Sequence, residues 1–415
     1  MTDRTKRVVV TGMGTVNCTG LTVEESWTNV LAGKCGIGQI DLYDTSALNV
    51  HIGGQVWGFD PAKYMDPRDA RRRDRFCQLA VAATRQALED SQLPITDHAD
   101  DIGCIYGTGA GGLLSFFDLV GVFNKEGPRR LHPFAIPMVI DDSAASAIAI
   151  DWGLRGPNFA PVSACAAGAD ALGLAFRLIR DGDANVIVAG GTEMPLHALP
   201  MAAFDRLGAM SRNNDHPKTA CRPFDKNRDG LVMGEGAATL ILEDLHFAQA
   251  RGAEILAEIV GYGCTSDAFH VTAPAENGIG AAKAMRRALN DAGLTPAGID
   301  WISAHATATD LNDKFETAAI KSVFGQWAYQ VPVSGTKAMT GHMMAATGAL
   351  ECIFGIKAIE TGWIPPTINY ETPDPECDLD VVPNQARQVT VNTFMTNSFG
   401  FGGHNAVLIF KRFAG

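Results

Sequence analysis

Short apolar runs that end in small residues recur along this chain, at Arg7–Gly14, Ile102–Gly107 and Asn185–Gly191. Each is too short for a helix and nearly continuous in apolar character, which predicts strands covered on both faces. Between them lie stretches of helical period. Over Asp74–Asp90 the apolar residues Phe76, Leu79, Ala80 and Ala83 fall on one face of a 3.6-residue repeat. The style continues at Ala257–Tyr262, Asp300–Ala304, Val331–Ser334 and Ala406–Phe410. Strands alternating with helices predict an α/β protein with covered sheets. The pattern divides near residue 255 into an N-terminal half, 1–255, and a C-terminal half, 256–415, as a duplicated unit would. Arg251–Ala253 has no linker composition, so the two halves are expected to be fused.

Composition narrows the function classes. Hydrophobic residues make up 46% and charged residues 19%, a globular balance, and 415 residues are enough for a large core. No apolar stretch approaches the roughly 20 residues of a membrane span, and Met1–Arg7 is too short for a secretory leader, so a soluble cytoplasmic protein is expected. A net charge of −12 argues against general nucleic-acid binding. Nine cysteines stand singly with no C-x-x-C pair, which points to neither a zinc knuckle nor a disulfide framework.

Two motifs are decoys. Gly107–Gly112 matches G-x-G-x-x-G but does not open the first βαβ unit, a weak basis for dinucleotide binding. Asp225–Gly230 imitates a calcium loop, yet its twelfth position is Gly236 instead of a bidentate Glu.

Candidate chemistry gathers elsewhere. Asn158–Ser163 reads as a strand and Ala166–Arg180 as a helix closing at Asp181-Gly182, which puts Cys165 at a strand-to-helix turn. There the helix dipole favours thiolate, and the Cys165 N–H is aimed at any carbonyl bonded to the sulfur. The run Ala164, Ala166, Ala167, Gly168 and Ala169 lets that helix lie deep. His305 follows the strand Trp301–Ala304 at its C-terminal end, and His342 ends a polar, glycine-containing turn that enters an Ala-rich helix. A thiol with two imidazoles suits nucleophilic catalysis with paired proton or oxyanion donors. Spacing alone leaves a buried core cysteine and a metal site open.

Four separated motifs stand in one order: Val162–Gly168 around Cys165, Ala304–Asp313 around His305, Gly335–His342 with Lys337, and Asn397–Asn405. Together with Arg222–Gly230 and Pro365–Asn369 they resemble the elongating β-ketoacyl-[acyl carrier protein] synthases over nearly the whole chain. The resemblance implies a thiolase-like αβαβα layered fold built from two similar halves, and a homodimer. It implies decarboxylative condensation of an acyl thioester on Cys165 with malonyl carrier protein. His305 and His342 would hold the malonyl thioester, with Lys337, paired to Glu351, balancing charge. The N–H groups of Cys165 and Phe401 would form the oxyanion hole, with the Phe401 side chain gating the acyl pocket. Thr307, Thr309 and Phe399 would contact substrate, and Ala110 would lie at the pocket floor. Arg68, Arg71, Arg72, Arg73, Arg129, Arg130 and Arg206 would dock the acidic carrier protein. No cofactor and no metal is expected.

Two departures from the family pattern stand out. His305-Ala-Thr-Ala-Thr309 replaces the commoner His-Gly-Thr-Ser-Thr, and Ser163 stands where Thr is commoner. Ala306 is expected to exclude a backbone angle that only Gly adopts freely, and Ala308 to remove a hydroxyl. Rival classes fit less well. Thiolases use a second cysteine near the C-terminus, coenzyme A-priming synthases a Cys-His-Asn set, and chain-length subunits lack the nucleophile.

Overall fold

The computed structural model describes residues 6–415, and every apolar run above contains a strand. Ten strands form one sheet: β1 (Val8–Asn17), β2 (Ile102–Gly107), β3 (Asn158–Phe159), β4 (Val186–Glu193), β5 (Gly236–Asp244), β6 (Ala257–Ser266), β7 (Trp301–Ser303), β8 (Val333–Ser334), β9 (Thr393–Gly400) and β10 (His404–Lys411). Their order is β8-β7-β9-β10-β6-β1-β5-β4-β2-β3. The two arms repeat one plan. In each, the first strand pairs antiparallel with the fifth, the fifth antiparallel with the fourth, the fourth parallel with the second, and the second parallel with the third. The arms join where Val8, Val9 and Val10 of β1 face Ile259, Glu258 and Ala257 of β6. The halves are therefore fused through backbone pairing.

The helices that matter here are α1 (Arg75–Ser91), α2 (Leu113–Glu126), α3 (Ser143–Trp152), α4 (Ala167–Asp181), α5 (Ala198–Arg206), α6 (Ile279–Ala292), α7 (Asp310–Phe324), α8 (Lys337–Thr340) and α9 (Ala345–Thr361). α1 begins one residue after the predicted start, because the Asp74 carboxylate accepts the N–H of Phe76 as a cap. It packs on β1 and β5, while α6 packs on β6 and β10. Between the arms lie α4 and α9, in contact with each other and with strands of both. The result is the layered αβαβα arrangement.

Small side chains make that middle layer possible. A Cβ on Gly168 would lie 2.1 Å from the Ala345 carbonyl oxygen, so α4 and α9 approach backbone to backbone. α9 is buried from Ala345 to Ile359 and α4 ends at Gly182, whose φ is +89°. Only part of Asn158–Ser163 is a strand. The ladder ends at Phe159; beyond it Pro161 has no N–H to donate, and only its carbonyl is bonded, to the Thr108 N–H at 3.3 Å. Among the described residues no helix is long and apolar enough to cross a membrane.

Candidate active site

The residue before Cys165 is strained. Ala164 has φ +52°, in the left-handed region, and opens a single 3₁₀ turn, Ala164–Ala166, that leads into α4. Cys165 is buried, and its Sγ lies 3.0 Å from His342 Nε2. The rings of His342 and His305 meet edge to face, 5.4 Å between centroids, and the His305 ring meets Phe399 at 5.6 Å. Three segments distant in sequence thus converge on one thiol.

The loop carrying His305 is held from below by α7. The N–H groups of His305 and Ala306 donate to the two oxygens of Glu316, each at 2.8 Å, and Asn397 donates to the same carboxylate at 3.0 Å. Asp313, one helical turn earlier, accepts the N–H of Ala308 at 3.2 Å and of Phe224 at 2.8 Å. These anchors bend the loop so that Ala306 has φ +42° and Ala308 φ +63°. The expectation that Ala306 excludes a glycine-type angle is therefore corrected: two carboxylate-anchored N–H groups impose it on alanine.

Lys337 opens α8, wholly buried, and donates to Glu351 of α9 at 2.8 Å. Burial raises the Glu351 carboxyl to about 7, with Lys337 opposing. Burial and the Lys337 charge also lower His342, to about 3, and hold His305 well below its ordinary 6.5, with His342 adding to the effect. Both imidazoles are neutral at neutral pH. His342 Nδ1 has no hydrogen-bond partner among the described residues, so Nε2 is free to accept from the thiol or to donate.

The thiol itself departs from expectation. Burial and the nearby Glu193 push Cys165 up to about 12, against the lowering effects of Lys337 and of the N–H groups of Phe401 and Cys165. The helix dipole does not yield a resting thiolate, because desolvation outweighs it. The backbone N–H groups of Phe401 and Cys165 act on the thiol in the opposite sense to burial.

A cavity of about 370 Å³ opens from Cys165 to the surface. His305, His342, Thr307, Thr309, Phe399 and Phe401 line it, and the two threonine hydroxyls are 2.9 Å apart. Phe401 stacks on Phe204 of α5 at 5.9 Å across the cavity wall. Ala110 does not line it. That residue sits in the loop after β2, its N–H bonded to Glu193 at 3.2 Å. The arginines split. All but Arg73 are exposed, Arg68, Arg71, Arg129 and Arg206 without an ion pair among the described residues, and Arg206 immediately precedes the cavity-lining Leu207. Arg73 is tied to Asp151 at 2.5 Å, Arg130 pairs with Glu126 at 3.2 Å, and Arg72 lies over the Phe134 ring at 4.7 Å.

Sequence reasoning missed Glu193, Asp313, Glu316 and Phe204. Glu193 ends an apolar strand and, raised to about 7 by burial, accepts from Gly109 at 2.6 Å and Thr108 at 3.1 Å. A carboxylate inside such a strand, and an Asp-x-x-Glu pair on one helix face, were the available signals. Among the described residues no group of three or more His, Cys, Asp or Glu is placed to hold a metal ion.

Residues 5–248 match the family model for the β-ketoacyl synthase N-terminal domain, and residues 256–371 the model for its C-terminal domain. The chain belongs to the β-ketoacyl synthase family. It is 48% identical over 412 residues to 3-oxoacyl-[acyl-carrier-protein] synthase 2 of Staphylococcus aureus, covering 99% of both chains. The protein of the same name from Synechocystis sp. is 48% identical over 409 residues, covering 98% of both. Among solved structures, a β-ketoacyl synthase from Burkholderia phymatum superposes with a TM-score of 0.91 at 36% identity, covering 99% of this chain and 100% of that one. A type II polyketide ketosynthase in complex with its acyl-carrier protein superposes with a TM-score of 0.90 at 34% identity, with the same coverage. Membership of the synthase family fixes the fold as thiolase-like.

Proposed function

We propose that this chain is an elongating β-ketoacyl-[acyl carrier protein] synthase of the fatty-acid type. The observation that carries the reading is the 3.0 Å approach of His342 Nε2 to Cys165 Sγ with the neutral His305 ring beside it. In the first half-reaction the Cys165 sulfur attacks the acyl thioester of the carrier protein. The new S–C bond replaces the carrier's, and the pantetheine thiol leaves with the proton. His342 Nε2 touches the sulfur at 3.0 Å and orients it, but, lowered to about 3, it does not hold the thiol proton, which passes to the departing pantetheine sulfur. In the second, malonyl carrier protein loses carbon dioxide while N–H groups of His305 and His342 hold the enolate oxygen. The resulting carbanion attacks the acyl carbonyl on Cys165, and the oxyanion falls at the N–H groups of Cys165 and Phe401. Collapse breaks the C–S bond, frees the β-ketoacyl carrier protein and returns a thiolate that takes up one proton.

The supporting residues follow from the same reading. Burial and the Lys337 charge keep both histidines neutral, and Glu351 holds the Lys337 ammonium in place at 2.8 Å. Thr307 and Thr309 would receive the phosphopantetheine arm, Phe399 the thioester end, and Phe401 with Phe204 would gate the acyl branch. Ala110 would meet longer chains once that gate opens. Arg68, Arg71, Arg72, Arg129, Arg130 and Arg206 would steer an acidic carrier protein to the mouth, with Arg73 buttressing them through Asp151. The reading also takes the protein as a cytoplasmic homodimer, and the exposed apolar side chains Phe116, Phe123, Ile136 and Ile150 support the dimer. The division near residue 255 falls between the family-model matches.

The test separates the half-reactions. Cys165→Ala should abolish chain elongation. Cys165→Gln should abolish it while still releasing carbon dioxide from malonyl carrier protein. Elongation by purified Cys165→Ala protein would refute the reading.

A further inference from the structure

The strained turn at Ala164 persists only if its surroundings hold it, since a non-glycine residue in the left-handed region costs roughly 1–2 kcal/mol. Two holds are visible. Gly400 lies against the turn, so close that a Cβ there would be 2.7 Å from the Ser163 carbonyl oxygen and 3.1 Å from the Cys165 nitrogen. The other hold is a side-chain chain. Ser163 Oγ donates to Asp170 Oδ2 at 2.5 Å, and the Tyr262 hydroxyl donates to Asp170 Oδ1 at 2.5 Å. Ser163 is two residues before the nucleophile, Asp170 is in the first turn of α4, and Tyr262 is on β6.

This network is built. Tyr262 lies flat against α4 because residue 173 is glycine: a Cβ there would be 2.4 Å from two ring carbons. Gly173 and Asp170 are one turn apart, so the ring that fits beside one delivers its hydroxyl to the other. Arg177, a turn further on, covers the Tyr262 ring at 4.6 Å. Burial raises the Asp170 carboxyl, while the Ser163 and Tyr262 hydroxyls and the charges of His404 and Arg177 pull it down. Burial and the Asp170 charge raise the Tyr262 phenol, which stays a donor. Asp170 is thus the acceptor for two hydroxyls, one of them on the nucleophile's own turn.

We propose that Asp170 is a positioning residue that, through Ser163, fixes the turn aiming the Cys165 sulfur and N–H into the cavity. The proposal rests on Cys165 being the nucleophile, and it accounts for a serine at 163 by giving its hydroxyl a partner that this chain supplies. Acylation depends on the aim of the sulfur; decarboxylation, which belongs to the two histidines, does not.

The test uses the full-length protein with three readouts: acylation of Cys165 by acyl carrier protein, carbon dioxide release in a Cys165→Gln background, and Cys165 alkylation by iodoacetamide followed by peptide mass spectrometry. Ser163→Ala should slow acylation roughly tenfold at unchanged KM, the scale expected for a small misplacement of a reacting atom. It should leave carbon dioxide release unchanged, and Ser163→Thr should restore acylation. Asp170→Asn combined with Ser163→Ala should be no slower than the worse single variant, because both break one bond. Acylation at the wild-type rate in Ser163→Ala, or equal losses in acylation and carbon dioxide release, would overturn the proposal. Alkylation needs no assigned substrate. If no variant acylates but Ser163→Ala still alters alkylation and Ser163→Thr restores it, the positioning role stands and the synthase reading falls.

Discussion

His305 and His342 are neutral groups, because burial and the Lys337 charge hold both below their ordinary 6.5, and in the proposed mechanism they act in that form. Carbon dioxide release should therefore show no histidine limb between about pH 5 and 8; a rate that falls with a midpoint near 6.5 would contradict this. Replacing either histidine by Ala should lower that rate by ~10²–10⁴, and a wild-type rate in either variant would remove that residue from the mechanism. The same shift bears on stability. The unfolded chain takes up protons below pH 6.5 that the folded chain refuses, so the stabilisation is complete above 6.5 and is lost as pH falls toward about 3. Urea unfolding of wild type should show that loss, and His342→Ala should show less of it; identical pH dependence in both would contradict the assignment. At this scale Cys165, His305, His342 and the Lys337–Glu351 pair were legible, because motif order carries identity. The thiol's acidity was not. It depends on how much solvent and which carboxylate surround the sulfur, and Glu193 comes from a strand that reads as plain core.

The loop after His305 is the element where local preference and tertiary anchoring conflict. Glu316 and Asp313 of α7 bind three of its N–H groups and hold Ala306 in a left-handed angle. Ala306→Gly should relieve that angle and stabilise the fold by about 1 kcal/mol, less what the freer unfolded chain takes back. Chemical denaturation measures it, and destabilisation beyond about 1 kcal/mol would show the angle is not a strain. From sequence, Ala at 306 argued against the angle, because propensity is visible there and a carboxylate ten residues on is not. Periodicity located α1 and α4 to within a residue, since each has a sharp start or stop, Asp74 and Gly182. It overran at Asn158–Ser163, where past Phe159 the ladder gives way to a single bond from the Thr108 N–H to the Pro161 carbonyl.

The whole molecule repeats one five-strand plan about the β1–β6 join; in sequence it shows only as a pattern repeated about residue 255, because it lies in pairing order more than in residue identity. Its apolar face around α2 and α3 is the proposed dimer surface, and Ile150 is 78% exposed there. Ile150→Asp should shift the protein toward monomer in light scattering; an unchanged dimer would place the interface elsewhere. Docking of the carrier acts at the same scale. Arg68→Glu with Arg72→Glu should raise KM for acyl carrier protein far more than for an acyl-pantetheine mimic, and equal effects on both would rule the patch out. All of this depends on Cys165 carrying the acyl group. The most direct measurement is intact-protein and peptide mass spectrometry after incubation with acyl carrier protein. One acyl mass per chain is expected, located on Cys165 and absent from Cys165→Ala. An acyl group on another residue, or none in protein that still elongates chains, would contradict it.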